Sequence, residues 1–566
     1  LPTLFPYTTL FRSIDFICKD LQTAADYLPA RWESENKNFG RITSGAALAL
    51  KGRVELLYAS PLFNRADDVT RWETAYQTNL AAVKKLEEGN FGLAYENNSG
   101  KNAAGWGKIF SDYIGSEGGG GTVSEAVLVT LYNNVSPAEH LQLEKWNGWE
   151  HSLRPANAGG GGGMTPTAEM VDLFPMADGK KPNDMNGSYD YNQELFFLNR
   201  DPRFYRTFAF PGVEWKFDSD DLKSFGEKGQ LPYGINGYTT GNNYKLWNYC
   251  WYDNVDDRNS NSKSGYAADC LGTKNTGIYL RKRTDDLALN SNPLYIFEKT
   301  SGNGFRQSAA PYMEIRFAEV LLNYAEAACG ANHFDEAVNA LKRIRKRVGY
   351  TDNCGLDPAI FNDRAKLFEA ILYERQIELA YEGKRFHDVR RWMLFDGGVG
   401  QEALKSTWKL TGFNGNTCNY LGVEPLNGQR RHRIEVYAKN FIAAKSNNVY
   451  NEDKTIKETY DELWNKRPTA LSLTEDITCT ESADDEITYA DAKVKALAQF
   501  YQEHFKRKNL STDGNDETIL PTFKPYYYIL GFKKNAMQNN VSLEQNIGWG
   551  DYWRGGADGT FDPLAE

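Results

Sequence analysis

The chain has 566 residues, 41% hydrophobic and 25% charged. That is the balance of a folded protein, with length for two or three ordinary domains or one large architecture. A net charge of −10 argues against a nucleic-acid partner, because phosphate backbones are held by clustered Lys and Arg, and the basic clusters at 343–347 and 429–433 are local. No run of about 18 apolar residues occurs, so no membrane-spanning helix is expected.

Residues 1–13, LPTLFPYTTLFRS, lack the basic start and apolar core of a signal peptide and resemble translated adapter sequence. They are set apart from the fold, and residues 14–566 are expected to form a single domain. Within it, 14–100 reads as a helical hairpin region. Residues 14–38 form one helix in this reading; the next opens at Ser44 as its cap, with Ala47, Leu50, Val54 and Leu57 as its stripe. Trp72, Tyr76, Leu80, Val83 and Leu86 make a second stripe that stops near Gly89. The pair has the size of a tetratricopeptide unit without its strict motif.

From 101 to 310 the periodicity fades into a loop-rich half, expected to carry ligand. Short strand-like pieces recur at Ala126–Tyr132 and Gly277–Lys282. The glycine runs at Gly118–Gly121 and Gly159–Gly163 lead into neither Gly-Lys-Ser/Thr nor GxGxxG, so they read as surface loops, not phosphate cradles.

Residues 311–396 carry the strongest pattern. Ile315, Ala318, Leu322, Ala325 and Cys329 share one helical face; Phe334, Val338, Leu341, Ile344 and Val348 share another, with Gly349 as its stop. A third helix places Leu367, Ala370, Ile371, Ile377 and Tyr381 on an apolar face, and Glu374 and Glu378 fall in its middle. Acids aimed at a core need partners or a raised pKa. Either they form an internal ion-pair network, with Arg375, Arg385, Arg390 and Arg391 nearby, or they are the paired acids of glycoside hydrolysis. Residues 397–566 read as a loop-rich C-terminal part.

Seven cysteines show no metal-like spacing, and the odd count leaves at least one free; Cys250 and Cys270 could pair. Six scattered histidines form no HExxH. No cofactor is expected, although Asp253–Asn261 has the oxygen atoms, without the spacing, of a calcium site.

Several phrases recur together: a glycine run, PTAEMVDLFPMADGK, NRDPRF and PGVEW. With GRITSGAALALKGRVELLYASPLFN, TGIYLRKRTDD, PYMEIRFAEVLLNYAEA, YERQIELAYEGKRFHDVRRW and QNIGWGDYW, they resemble, in order, the SusD/RagB family of Bacteroidetes cell-surface glycan-binding lipoproteins. The resemblance implies a mostly α fold, with tetratricopeptide-like helical pairs packed against a loop-rich region with short strands. It also implies non-catalytic binding of an oligosaccharide or polysaccharide, such as starch, at the outer-membrane surface. There the chain would hand nutrient to a SusC-like TonB-dependent transporter. Family members begin with a lipoprotein signal and further helices, which are missing here; Cys18, in SIDFICKD, does not look like a lipidation site.

Sugar rings stack their C–H faces on Trp or Tyr and need Asn, Asp or Arg at the edges, best on loops held by a scaffold. The cluster fitting this best is Trp247, Asn248, Tyr249, Trp251, Tyr252 and Asp253, although the alternation of Trp247, Tyr249 and Trp251 equally suits a strand with one buried aromatic face. Trp146 and Trp149, with Asn147 between them, form a second cluster, and Trp106 is a third candidate. Two other readings stay open: a hydrolase built on Glu374 and Glu378, and a peptide-binding helical-repeat module.

Overall fold

A computed structural model describes residues 6–64, 66–100, 103–110, 123–134, 145–155, 160–161, 164–215, 244–249, 277–284, 305–395, 432–439, 449–450, 456–458, 463, 466–472, 491–511 and 524–561. The eight longest helices among them are α1 (Pro6–Tyr27), α2 (Ser44–Ala59), α3 (Val69–Glu88), α4 (Phe317–Gly330), α5 (Phe334–Arg347), α6 (Arg364–Glu378), α7 (Arg385–Arg391) and α8 (Asp491–His504). They stack in sequence, α1 on α2, α2 on α3, α3 on α4, and α4 on both α5 and α6. The fold is mostly α, as expected, and strands are short. Among the described helices none is long and apolar enough to cross a membrane.

Local chemistry explains the helix ends. Thr43, one residue before the expected Ser44, caps α2 by accepting the Ala46 N–H. Asp68 and Asp363 cap α3 and α6 in the same way. Gly349, with φ of 103°, follows the end of α5 as expected, a conformation that favours glycine.

Two expectations about helix faces need correction. In α2 the expected stripe of Ala47, Leu50, Val54 and Leu57 holds only in part: Ala47 is buried and Leu50 packs against the core, but Leu57 is exposed, and Gly45, Leu48, Gly52, Leu56 and Ala59 are buried as well. The helix is sandwiched between α1 and α3, so small residues serve two contacts; a Cβ on Gly52 would stand 2.4 Å from the Asn79 side chain. Ile315 belongs to a strand, Tyr312–Arg316, paired antiparallel with Ala126–Thr130, and α4 starts only at Phe317. Every residue of α4 is then buried, because α3, α5 and α6 surround it. A helix buried all round shows no single stripe.

Glu374 and Glu378 do point inward, and they resolve as an ion-pair network. Glu378 accepts from Arg203 (2.9 Å) and Arg316 (2.7 Å), and pairs with Arg347. Glu374 is held by Arg203 (2.5 Å) and Arg345 (2.7 Å). Asp201, Glu125, Glu382 and Lys282 complete the cluster, so five basic and five acidic side chains balance inside the protein. The expected partners were the wrong arginines. Arg375 lies one residue along from Glu374, about 100° round the helix, and turns with Arg391 to Asp388, while Arg391 also holds Glu326 (2.7 Å).

The network predicts an acid limit. Burial by itself would raise Glu382, but the Arg316 and Lys282 charges overcome it and bring it down to about 2. Burial likewise opposes Glu378, and Arg347, Arg316 and Arg203 hold it well below the usual range. A carboxylate with a lower pKa folded than unfolded stabilises the fold above its unfolded pKa and loses that contribution as pH falls through its folded pKa. Melting temperature should therefore drop steeply as pH falls from about 4.5 towards 2. A flat thermal-melting profile across that window would contradict the assignment.

Candidate functional site

The network matters for function because it anchors one wall of an open pocket. The pocket is a small open recess of about 20 Å³, lined by, among others, Trp149, Asn147, Arg283, Ser308, Glu150 and Glu382. Three separate segments meet there. Asn147 ties the first to the second: its N–H donates to the Ser308 carbonyl (2.8 Å) and its side-chain amide to the Ala310 carbonyl (2.6 Å). Its Oδ1 accepts the Trp149 N–H (3.1 Å), and the Trp149 indole donates to the Lys282 carbonyl (3.1 Å), reaching the third segment. The Trp149 ring is held in place this way while remaining half-buried.

Lys282 and Arg283 divide the labour. The Lys282 ammonium points inward, donating to Glu382 (2.6 Å) and to the carbonyls of Glu378 and Ala380, above the rings of Trp106 and Phe110. Burial lowers its pKa to about 8 against the pull of Glu382. Arg283 is half-buried and lines the pocket, its guanidinium 4.0 Å from the Trp149 ring centroid and 5.1 Å from that of Tyr312. Arg283 also has a left-handed backbone, φ 64°, a costly conformation for a non-glycine residue and one that clusters at working sites. Tyr312 closes this side, its hydroxyl donating to the Glu382 carbonyl (2.5 Å).

The aromatic candidates separate sharply. Trp149 lines the pocket and Trp146, half-buried, precedes Asn147 in the same segment. Trp106 is fully buried, its indole donating to Glu378 (3.0 Å), so it is a core residue and not a stacking platform. Trp247, Asn248 and Tyr249 also lie in the core, at 4%, 0% and 0% exposure. Trp247 meets Phe500 edge-on (5.6 Å), the Asn248 amide donates to the Tyr279 hydroxyl (2.8 Å), and the Tyr249 hydroxyl accepts from Arg467 (3.0 Å). Their segment follows a strand, Tyr244–Leu246, paired with Val213–Trp215, but lies beyond its end, and because Asn248 is as buried as the rings on either side of it the expected strand with one buried aromatic face does not describe them either. Trp251, Tyr252 and Asp253 lie outside the described residues, as do Cys250, Cys270 and the Asp253–Asn261 oxygens. No His/Cys/Asp/Glu group able to hold a metal occurs among the described residues.

Sequence reasoning missed Arg283, Ser308 and Tyr312. The basic run Arg281–Arg283 was visible, but nothing local says that one cation faces inward and the next the pocket. A larger cleft, about 560 Å³, runs between 179–186 and 355–373. Its one aromatic lining residue, Tyr373, is buried with its hydroxyl on the Leu173 carbonyl, so it offers no ring to a ligand.

A helical-repeat scaffold carrying a half-buried aromatic pocket on its irregular half defines a binding-protein architecture. The family model of the SusD family matches residues 107–549, and the chain belongs to that family. It is similar to SusD-like protein P2 of Formosa agariphila, 34% identical over 131 residues, or 21% of this chain and 25% of that protein. The match thus spans a quarter of that relative's length. In fold it resembles a SusD-like protein from Bacteroides fragilis, TM-score 0.52 at 20% identity, over 95% of this chain and 70% of the other. A second solved protein, BT4246, is similar at TM-score 0.52 and 19% identity, over 94% and 75% of the two chains.

Proposed function

We propose that this chain binds an oligosaccharide or polysaccharide at the cell surface without cleaving it and passes it to a SusC-like TonB-dependent transporter of the outer membrane. Family membership supports the nutrient-uptake setting. The single observation that carries the site is the Trp149 ring, fixed by Asn147 and the Lys282 carbonyl yet left half-buried in an open pocket. One face of the ring carries the Arg283 guanidinium, 4.0 Å from the centroid; the other would take the apolar side of a pyranose, with Asn147 and Ser308 lining the same pocket. The absence of cleavage in this reading follows from Glu374 and Glu378, which are fully buried and bonded to arginines, so neither can meet a glycosidic bond.

The test is affinity gel electrophoresis of the purified protein against a polysaccharide panel, followed by calorimetry and a reducing-end assay. Retardation by one glycan class with no new reducing ends is expected. Release of reducing ends, or no retardation by any glycan, would overturn the reading.

A further inference from the structure

The C-terminal segment 524–561 gathers apolar side chains at the surface, far along the chain from Trp149. Six of the seventeen large apolar or aromatic side chains exposed among the described residues lie there: Leu530, Phe532, Val541, Ile547, Tyr552 and Trp553. Exposed apolar surface concentrated in one small unit marks a binding surface. The unit is nevertheless tied to the scaffold, with Tyr528 buried against Leu62 and Met393 and Arg390 donating to the Tyr528 carbonyl (3.1 Å).

Five aromatic rings in this unit are fixed without being enclosed. Trp549, half-buried, donates its indole N–H to the Ile529 carbonyl (2.9 Å) and meets the half-buried rings of Tyr526 and Tyr527 at 5.6 and 5.3 Å. Glycines seat the rings. A Cβ on Gly531 would stand 2.7 Å from the Trp549 side chain, one on Gly548 2.5 Å from Tyr526, and one on Gly550 3.4 Å from Tyr552. Gly550–Asp551 pairs with Ala557–Asp558, and the turn between them presents Tyr552 and Trp553 at 76% and 41% exposure. Buried Asp551 sets that turn, accepting the Trp553 N–H (3.1 Å), the Arg554 N–H (3.0 Å) and the Arg554 guanidinium (3.0 Å). Backbone order at the rings is therefore reached in folding and not at binding. The three tyrosines and Trp553 each join a C–H-binding ring face to a hydroxyl or N–H edge, which suits a sugar better than a purely apolar partner.

We infer that this surface is a second glycan platform, on which one stretch of a polysaccharide lies while another stretch occupies the Trp149 site. The inference rests on the glycan-binding reading of the Trp149 site. An open surface holds a short oligosaccharide weakly, but a long chain already bound at Trp149 meets it at high effective concentration, so the second contact shows as affinity for the polymer.

The test sets affinity gel electrophoresis with the polysaccharide that retards the parent chain beside calorimetry with a hexasaccharide of the same glycan. The double change Tyr552→Ala with Trp553→Ala should weaken polysaccharide binding about tenfold, with hexasaccharide affinity within about twofold and melting unchanged. Tyr552→Phe with Trp553→Phe keeps the rings and should keep most of the polysaccharide affinity. Trp149→Ala should lose the hexasaccharide yet retain weak retardation by the polysaccharide, and adding the two Ala changes should abolish that remainder. Unchanged polysaccharide binding in the double-Ala protein overturns the inference and leaves the Trp149 reading standing; altered self-association in the same protein would then make the surface a contact between copies. Equal loss of polymer and hexasaccharide in the double-Ala protein, with Trp149→Ala unaffected, would make this surface the primary site and remove the Trp149 reading. A parent chain that binds no glycan overturns both.

Discussion

Glu378→Gln is expected to destabilise the protein by about 3–5 kcal/mol, although the substitution keeps shape and volume. Glu378 is fully buried and meets Arg203, Arg316 and Arg347 as well as the Trp106 indole. A neutral amide cannot balance three guanidiniums, and its N–H₂ faces donors where the carboxylate offered acceptors. Buried ion pairs are seldom better than an apolar substitute, but removing one partner leaves charges stranded in a low dielectric. The midpoint of urea unfolding measures the effect. Lys366→Gln, which breaks the half-exposed pair with Asp363, is the control and should shift the midpoint by less than about 0.5 kcal/mol. A loss below about 1 kcal/mol in Glu378→Gln would mean that the network is not held as described. The site should feel the change as well, since the Lys282 ammonium donates to the Glu378 carbonyl and the carbonyl of Lys282 holds Trp149.

Trp149→Ala is expected to weaken glycan binding by about 2 kcal/mol or more, roughly thirtyfold, with little change in melting. The ring is half-buried, so its removal opens no deep cavity, while the pocket loses its one stacking face. Trp247→Ala should do the reverse. It empties a core position against Phe500 and should cost about 3–5 kcal/mol of stability, with affinity unchanged in whatever fraction stays folded. Calorimetry paired with thermal melting separates the two. Retained affinity in Trp149→Ala would remove the pocket from consideration.

The contrast between these two tryptophans measures how far the sequence could be read. Both sit among Asn and Gly with a second aromatic nearby, and composition favoured the Trp247 cluster. Burial reverses the order because it is set by what arrives from elsewhere: Phe500 and Arg467 come from more than 200 residues away to cover Trp247 and Tyr249. Period-2 alternation announces a strand without saying whether one face or both are covered.

Helical periodicity was sufficient by itself for α3 and α5, whose buried faces follow from spacing, and for the stop at Gly349, which follows from backbone sterics; it was not for α6, where every residue from Ile371 to Glu378 is buried and Tyr381, expected on the apolar face, lies past the helix end. It also required that Glu374 and Glu378 find partners, because an unpaired carboxylate in a core is too costly to persist. Tertiary structure alone decided which partners. The arginine that joins both acids, Arg203, lies 171 residues from one and 175 from the other, while nearby Arg375 turns away. The pocket is likewise a long-range construction, Asn147 reaching across 163 residues to Ala310 and Trp149 across 133 to Lys282. A residue's chemistry is carried in the sequence, but exposure and pairing depend on which distant surface packs against it, and no local pattern encodes that.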